Sequence, residues 1–486
     1  MQNNTTTSKS FFNVMLAVFV LCNVFLLKNI LIGLHESFNI AVMVLGFSIY
    51  IPLLINIKKK TFFLFDPKNI LPIWFSLMYY ISSIPIYSVY NPTEFYTTML
   101  FNPLNEDNIV VYYTLSFGIL LFYFGYGITN IFLKKNVINY NIDLNRIIRF
   151  RGIVFKFYSF SIIFRCIGYF MGFLGSISST GGGTSLPSIP FISIFFFIAN
   201  SWSIYLFYFA CASFTTKKNK NTFLMFLFFE LSFMMLSGHR RNLIVMFFIY
   251  SLAFYMVKKY LPITKNLRYV IPILIFVLPF ITIYGYLLPS LSSYNLQSLL
   301  GLVSVTFNKL TSISFATMFL DYFLYPILQS FNYFSTVGIA YTEFTQKGVS
   351  WGAVGPQNLI SKLVPSFIFP SSFDERGYYQ MFSAKAMSYN VDYSNLTFTA
   401  QSEQMLSFGL KGVLMGMFSQ GVISSFLFKK FNSFNTPFFL RIVYLGLLFK
   451  FTINFCSGLL VSDLILGFRL LFYAIIIFIV YKMFKK

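Results

Sequence analysis

Two short stretches of this chain collect the residue types best suited to chemistry. The first is LSGHRRNLI, Leu236 to Ile244, where Arg240 and Arg241 follow His239, one of only two histidines present. An arginine guanidinium is a rigid fork of donors that matches phosphate oxygens at two points. A helix starting at the same turn would aim its dipole at a bound anion; the plainer use of these cations is to sit among lipid headgroups. The second stretch runs from Gly348 to Phe382 and resumes at TAQSEQMLSFGLKG, Thr399 to Gly412, supplying Lys362, Asp374, Glu375, Arg376 and Glu403. A carboxylate there, or His239, suits the role of general base toward a hydroxyl, and Lys362 or Arg376 that of holding a leaving phosphate. A salt bridge is the simpler reading of Asp374 with Arg376. Trp351, Tyr378 and Tyr379 are placed to stack on sugar rings or to anchor a loop at a membrane interface. No HExxH sequence, EF-hand loop or Walker A motif occurs, so neither a metal nor a nucleotide cofactor is expected.

The elements that must position these residues are membrane helices. Hydrophobic residues make up 57% of the 486 and charged residues only 10%, against roughly 25% charged in an ordinary soluble domain. Many apolar runs reach the ~20 residues needed to cross hydrocarbon as a helix. Twelve spans are predicted, at 11–30, 38–57, 70–90, 109–133, 153–174, 191–214, 222–237, 241–257, 269–288, 406–428, 438–457 and 464–482; the alternative makes 311–328 part of an extra pair, giving fourteen. The expected fold is therefore an all-α polytopic membrane protein, with nine spans in 1–288, one large extracytoplasmic loop at 289–405, and three spans in 406–486. The loop mixes apolar stretches with charges, glycines and prolines, a composition suited to interfacial helices or a re-entrant piece.

The net charge of +22 has a topological explanation that leaves nucleic acid out. With the N-terminus inside, the inner segments and span ends collect two thirds of the 36 basic residues, among them Lys58–Lys60, Arg146, Arg149, Arg151, Lys217, Lys218, Lys220, Lys429 and Lys430. That is the positive-inside pattern, and it puts both termini in the cytoplasm. The apolar run from Phe11 to Leu27 lacks a small-residue cleavage site and reads as a retained span. All four cysteines lie in apolar runs, which argues against a disulfide framework. Ionisable residues inside spans, each costing roughly 2.5–3.5 kcal/mol to insert, are Arg165, Glu230, Lys450 and Arg469. Either they serve function, or the cations reach for the headgroups while Glu230 pairs with one of them inside the bundle.

With these features in view, the chain resembles the Wzy-type oligosaccharide repeat-unit polymerases of bacterial O-antigen and capsule assembly. The likeness rests on the many-span topology with one large outer loop, and on an SG-x-R turn at Ser237, Gly238, His239 and Arg240. It rests also on a P-x4-P loop at Pro365 and Pro370, ahead of a span opening E-x5-G-x2-G at Glu403, Gly409 and Gly412. The resemblance implies a bacterial inner-membrane glycosyltransferase whose partner is an undecaprenyl diphosphate-linked oligosaccharide among membrane lipids, with a chain-length regulator protein as a further partner. It implies Glu403, His239, Asp374 and Glu375 as candidates for catalysis, and Arg240, Arg241, Arg376, Lys362 and Arg165 as candidates for holding the diphosphate, with no cofactor and no metal. An O-antigen ligase shares this logic. A repeat-unit flippase or other transporter is the third reading, although two related halves, common in transporters, are not discernible.

Overall fold

A computed structural model describes residues 2–59, 62–84, 106–132, 144–170, 202–237, 240–258, 296–319, 322, 334–348, 399–433, 436–438, 440–445 and 448, and of 275–287 all but 276 and 286. The described structure is almost wholly helical. The chain divides into two compact units, one of Met1–Asn139, Leu328–Pro437 and Lys450–Phe472, the other of Tyr140–Ile327, Phe438–Phe449 and Tyr473–Lys486.

In the first unit α1 (Gln2–Leu31) and α2 (Glu36–Lys58) are long apolar helices packed on each other. Phe19 stacks on Tyr50, and Asn23 donates to the Tyr80 hydroxyl at 3.0 Å, which satisfies a polar group that hydrocarbon would not. The outward side of α1 carries Val20, Leu21, Val24 and Leu31 exposed. Such an apolar girdle is tolerable only where lipid covers it.

Helix α3 (Pro67–Phe75) begins where Asp66 caps it and Pro67 takes the first helical position, the place that suits a residue without an N–H. It passes into a π-helical turn, Ser76–Ile81. Then come α4 (Glu106–Phe132), α10 (Phe334–Lys347) and α11 (Ala400–Phe431), described here together because they pack against one another. Glycines let α4 and α11 approach backbone to backbone. A Cβ on Gly125 would strike the Phe418 carbonyl, and one on Gly421 the Phe122 carbonyl. Small residues at such crossings replace the hydrophobic driving force that membrane helices lack.

In the second unit α6 (Trp202–Ala212) is the centre, touching α5 (Leu144–Phe170), α7 (Lys217–Ser237) and α8 (Arg240–Lys258). Seven consecutive residues of α6, from Leu206 to Ala212, are buried, so it has no lipid-facing stripe in that stretch. The expected short hairpin of spans seven and eight corresponds to α7 and α8, which are separated only by residues 238–239. The interval 289–405 contains α9 (Leu296–Ser312), the whole of α10 and the first six residues of α11. Helix α9 is two-faced, with Leu302 and Thr306 buried and Leu300, Val305 and Phe307 exposed. Among the described residues, four helical segments, Phe11–Leu31, Glu36–Lys58, Ile109–Thr129 and Ala400–Phe431, are long and apolar enough to cross a membrane.

Candidate functional site

The local sequence TAQSEQMLSFG dictates a short helix with a hard stop. Thr399 is extended, at φ −111° and ψ 163°, and its hydroxyl accepts from the Ser402 N–H at 3.0 Å, an N-cap. Glu403 stands in the first turn, where a carboxylate complements the helix dipole. Gly409 then takes φ 63° and ψ −150°, a region open essentially to glycine alone. The Phe344 ring of α10 occupies the space where a side chain would stand, with Cζ 2.7 Å and Cδ1 2.8 Å from an ideal Cβ.

This break turns α11 back on itself. Gln401 Nε2 donates to Met417 Sδ at 3.2 Å, yet sixteen residues of straight helix would separate the two positions by roughly 24 Å. A Cβ on Gly412 would overlap the Gln404 carbonyl, and one on Gly416 the Gln404 amide. The 400–408 limb therefore lies antiparallel against the 410–431 limb, with Gly412 and Gly416 providing the groove. The longer limb, of about 22 residues, reaches ~33 Å, enough to span hydrocarbon. The sequence places Glu403 at the mouth of a span beginning near 406; instead it lies on a re-entrant limb that folds down beside that span. Gly409 in the E-x5-G-x2-G spacing makes the reversal and Gly412 makes room for it.

The short limb is polar and enclosed: Thr399, Gln401, Ser402, Glu403, Gln404 and Ser407 are all buried. Tyr79, carried inward by the π-helical turn, sets its hydroxyl 3.0 Å from Thr399 Oγ1 and 3.1 Å from Gln401 Oε1. Turns of this kind recur at functional sites because they re-aim one side chain within a helix. Tyr112 of α4 donates to Ser83 Oγ at 2.9 Å, and Thr336 of α10 meets Ser402 at 3.0 Å. A second buried acid, Glu343, precedes Phe344 on α10. Hydroxyls, amides and a carboxylate thus gather inside a membrane-embedded unit, a combination able to orient a hydroxylated ligand and to take a proton from it.

In the second unit Glu230 is paired inside the bundle, as one of the two readings expects; Lys450 and Arg469 lie outside the described residues. Arg165 of α5 grips Glu230 of α7 with both ends of its fork, at 2.8 Å and 2.5 Å. Tyr158 adds a donor to the same carboxylate at 2.5 Å, and the Phe233 ring lies 4.8 Å from the guanidinium carbon. Phe209 and Phe226 wall the pair through their contacts with Tyr158. The fork that would hold a diphosphate is filled by Glu230. Arg240 and Arg241 are the first two residues of α8. His239, Lys362, Asp374, Glu375 and Arg376 lie outside the described residues. Sequence reasoning passed over Tyr79, Tyr112, Thr336 and Gln420, which sit in apolar runs with no motif around them. The polar run Thr399–Gln404 carries the compositional trace of the limb.

Among the described residues no three His, Cys, Asp or Glu side chains gather as a metal set. The geometry defines a class: an all-α membrane protein with a buried polar re-entrant helix. No family model, no curated protein and no solved structure matches the chain.

Proposed function

We propose that this chain polymerises lipid-linked oligosaccharide repeat units on the outer face of a bacterial inner membrane. In this reading twelve spans and an outer segment at 289–405 frame the site, and both termini are cytoplasmic. The growing glycan leaves undecaprenyl diphosphate and joins a hydroxyl of the next lipid-linked unit, as in the surface-polysaccharide polymerases the sequence resembles. The bond from the anomeric carbon to the diphosphate oxygen breaks, and that oxygen keeps the electron pair. A new bond forms from the anomeric carbon to the acceptor oxygen, whose proton passes to a base. Glu403 is the base of choice, with His239, Asp374 and Glu375 as the other candidates. Arg240 holds the departing diphosphate, supported by Arg241, Arg376 and Lys362, so that charge developing on the leaving group is neutralised without a metal.

The observation that carries this reading is the 399–407 limb, a buried run of hydroxyls and amides around a carboxylate within a membrane unit. Burying so many polar groups in hydrocarbon is costly, and a catalytic role supplies a reason for keeping them. The test is reconstitution: purified protein with a lipid-diphosphate-linked repeat unit as sole substrate. A ladder of products with release of free lipid diphosphate is the expected result. Arg240→Lys, which keeps the charge but loses the fork, is expected to make far less product. Absence of any ladder from folded, membrane-inserted protein rejects the proposal.

A further inference from the structure

Two buried amides beside the limb are left without protein partners. Gln404 is 7% exposed and Gln420 is 2% exposed. Neither amide's oxygen or nitrogen has a hydrogen-bond partner among the described residues. Buried side-chain amides in native proteins are nearly always satisfied, and inside a membrane no bulk water makes up the loss. Two such groups near one another call for an explanation beyond packing.

Their placement supplies it. Gly412, Gly416 and Gln420 follow at intervals of four and so share one face of the longer limb. The Gln404 amide lies where a Gly416 side chain would be, one turn from Gln420. Gln401 lies level with Met417, so the same antiparallel register carries Gln420 to the buried N-terminal end of the short limb. The two amides therefore stand about one turn apart along the longer limb, with Glu403 next to Gln404 on the short one. Each amide offers both an acceptor oxygen and a donor NH2. An acceptor can meet the NH2 groups and a donor the carbonyl oxygens. A hydroxyl, donor and acceptor at once, fits both.

We infer that Gln404 and Gln420 form a subsite for the hydroxyl groups of a sugar. The inference rests on the polymerase reading for the sugar's identity as acceptor, but the site is testable without it. Full-length protein in detergent is melted with and without high concentrations of glucose, galactose and N-acetylglucosamine, and the same is done for Gln404→Leu and Gln420→Leu. Leucine fills a similar volume and removes the unpartnered amide, so the sugar-free variants should melt at or above the wild-type temperature. At least one sugar should raise the wild-type melting temperature, and both variants should lose that shift. In the reconstituted reaction each variant should raise KM for the acceptor at least ten-fold, with a smaller change in kcat.

A ladder made by both leucine variants with unchanged KM leaves the polymerase reading standing and overturns the subsite. A wild-type sugar shift lost in the variants, with no ladder from wild type, supports the subsite and overturns the polymerase reading. No sugar shift in wild type, or an equal shift in the variants, overturns the subsite; the amides then hold water only. Should leucine prevent folding, Gln404→Met and Gln420→Met replace it. If these too unfold, the amides are structural pins and the inference fails.

Discussion

Replacing Gly409 by alanine strikes the point on which the re-entrant limb depends. At φ 63° and ψ −150° an L-residue is strained by about 1–3 kcal/mol. The new methyl also meets the Phe344 ring, 2.7 Å from Cζ and 2.8 Å from Cδ1, and overpacking of this kind costs about 1–3 kcal/mol more. Together Gly409→Ala should lose about 2–6 kcal/mol, read as a fall in the denaturant midpoint of purified protein in detergent. Phe344 is only half-buried, so Phe344→Leu alone should be mild. In the double variant it should return the overlap share but not the backbone share, giving partial rescue. The geometry has a second readout. In a background without its four cysteines, Gln401→Cys with Met417→Cys should be joined by a short bifunctional thiol reagent, because their native side chains touch at 3.2 Å. Wild-type stability for Gly409→Ala together with failure of the cross-link would refute the reversal, since a straight helix holds those positions roughly 24 Å apart.

Three other perturbations follow from the structure. Glu230→Gln strands the buried Arg165 guanidinium and should cost about 3–5 kcal/mol, whereas Arg165→Met with Glu230→Leu should be far milder; denaturant melts in which the double variant is as unstable as the single would contradict the pairing. Asp66 is buried and its carboxyl is pushed above its ordinary 3.8 by burial, against the pull of Lys68. Its proton is thus held more tightly in the folded state. The stability this provides is complete below the unfolded value and lost as pH rises through the higher folded one, and Asp66→Asn should flatten that slope in a pH series of melts. For orientation, impermeant thiol reagents applied outside should label Asn102→Cys and Ser371→Cys but not Lys218→Cys. Lys218 is exposed and suits an inner probe, whereas its neighbour Asn219 is buried and tied to Thr215 at 2.7 Å.

Hydropathy alone made the class legible, because helix length against bilayer thickness is a one-dimensional property. The α7–α8 hairpin was legible for the same reason. The reversal at Gly409 was not. A glycine in an apolar helical run reads as a packing residue, and only the backbone at φ 63° and ψ −150°, with the contacts across the two limbs, marks it as a turn. The Arg165–Glu230 pair lay between these cases. Charge in a span demands a partner, but sixty-five residues separate this acid from its arginine, and sequence left pairing and function as equal alternatives. Tyr79 was beyond reach, since a π-helical turn leaves no compositional trace.

The glycan profile of cells lacking this chain, complemented with wild type or with Glu403→Gln, tests the central claim most directly. Deletion should leave single repeat units on the acceptor lipid, wild type should restore the full ladder, and Glu403→Gln, present at normal level in the membrane, should restore little of it. An unchanged ladder in the deletion, or acceptor lipid bearing no repeat unit at all, would contradict polymerisation.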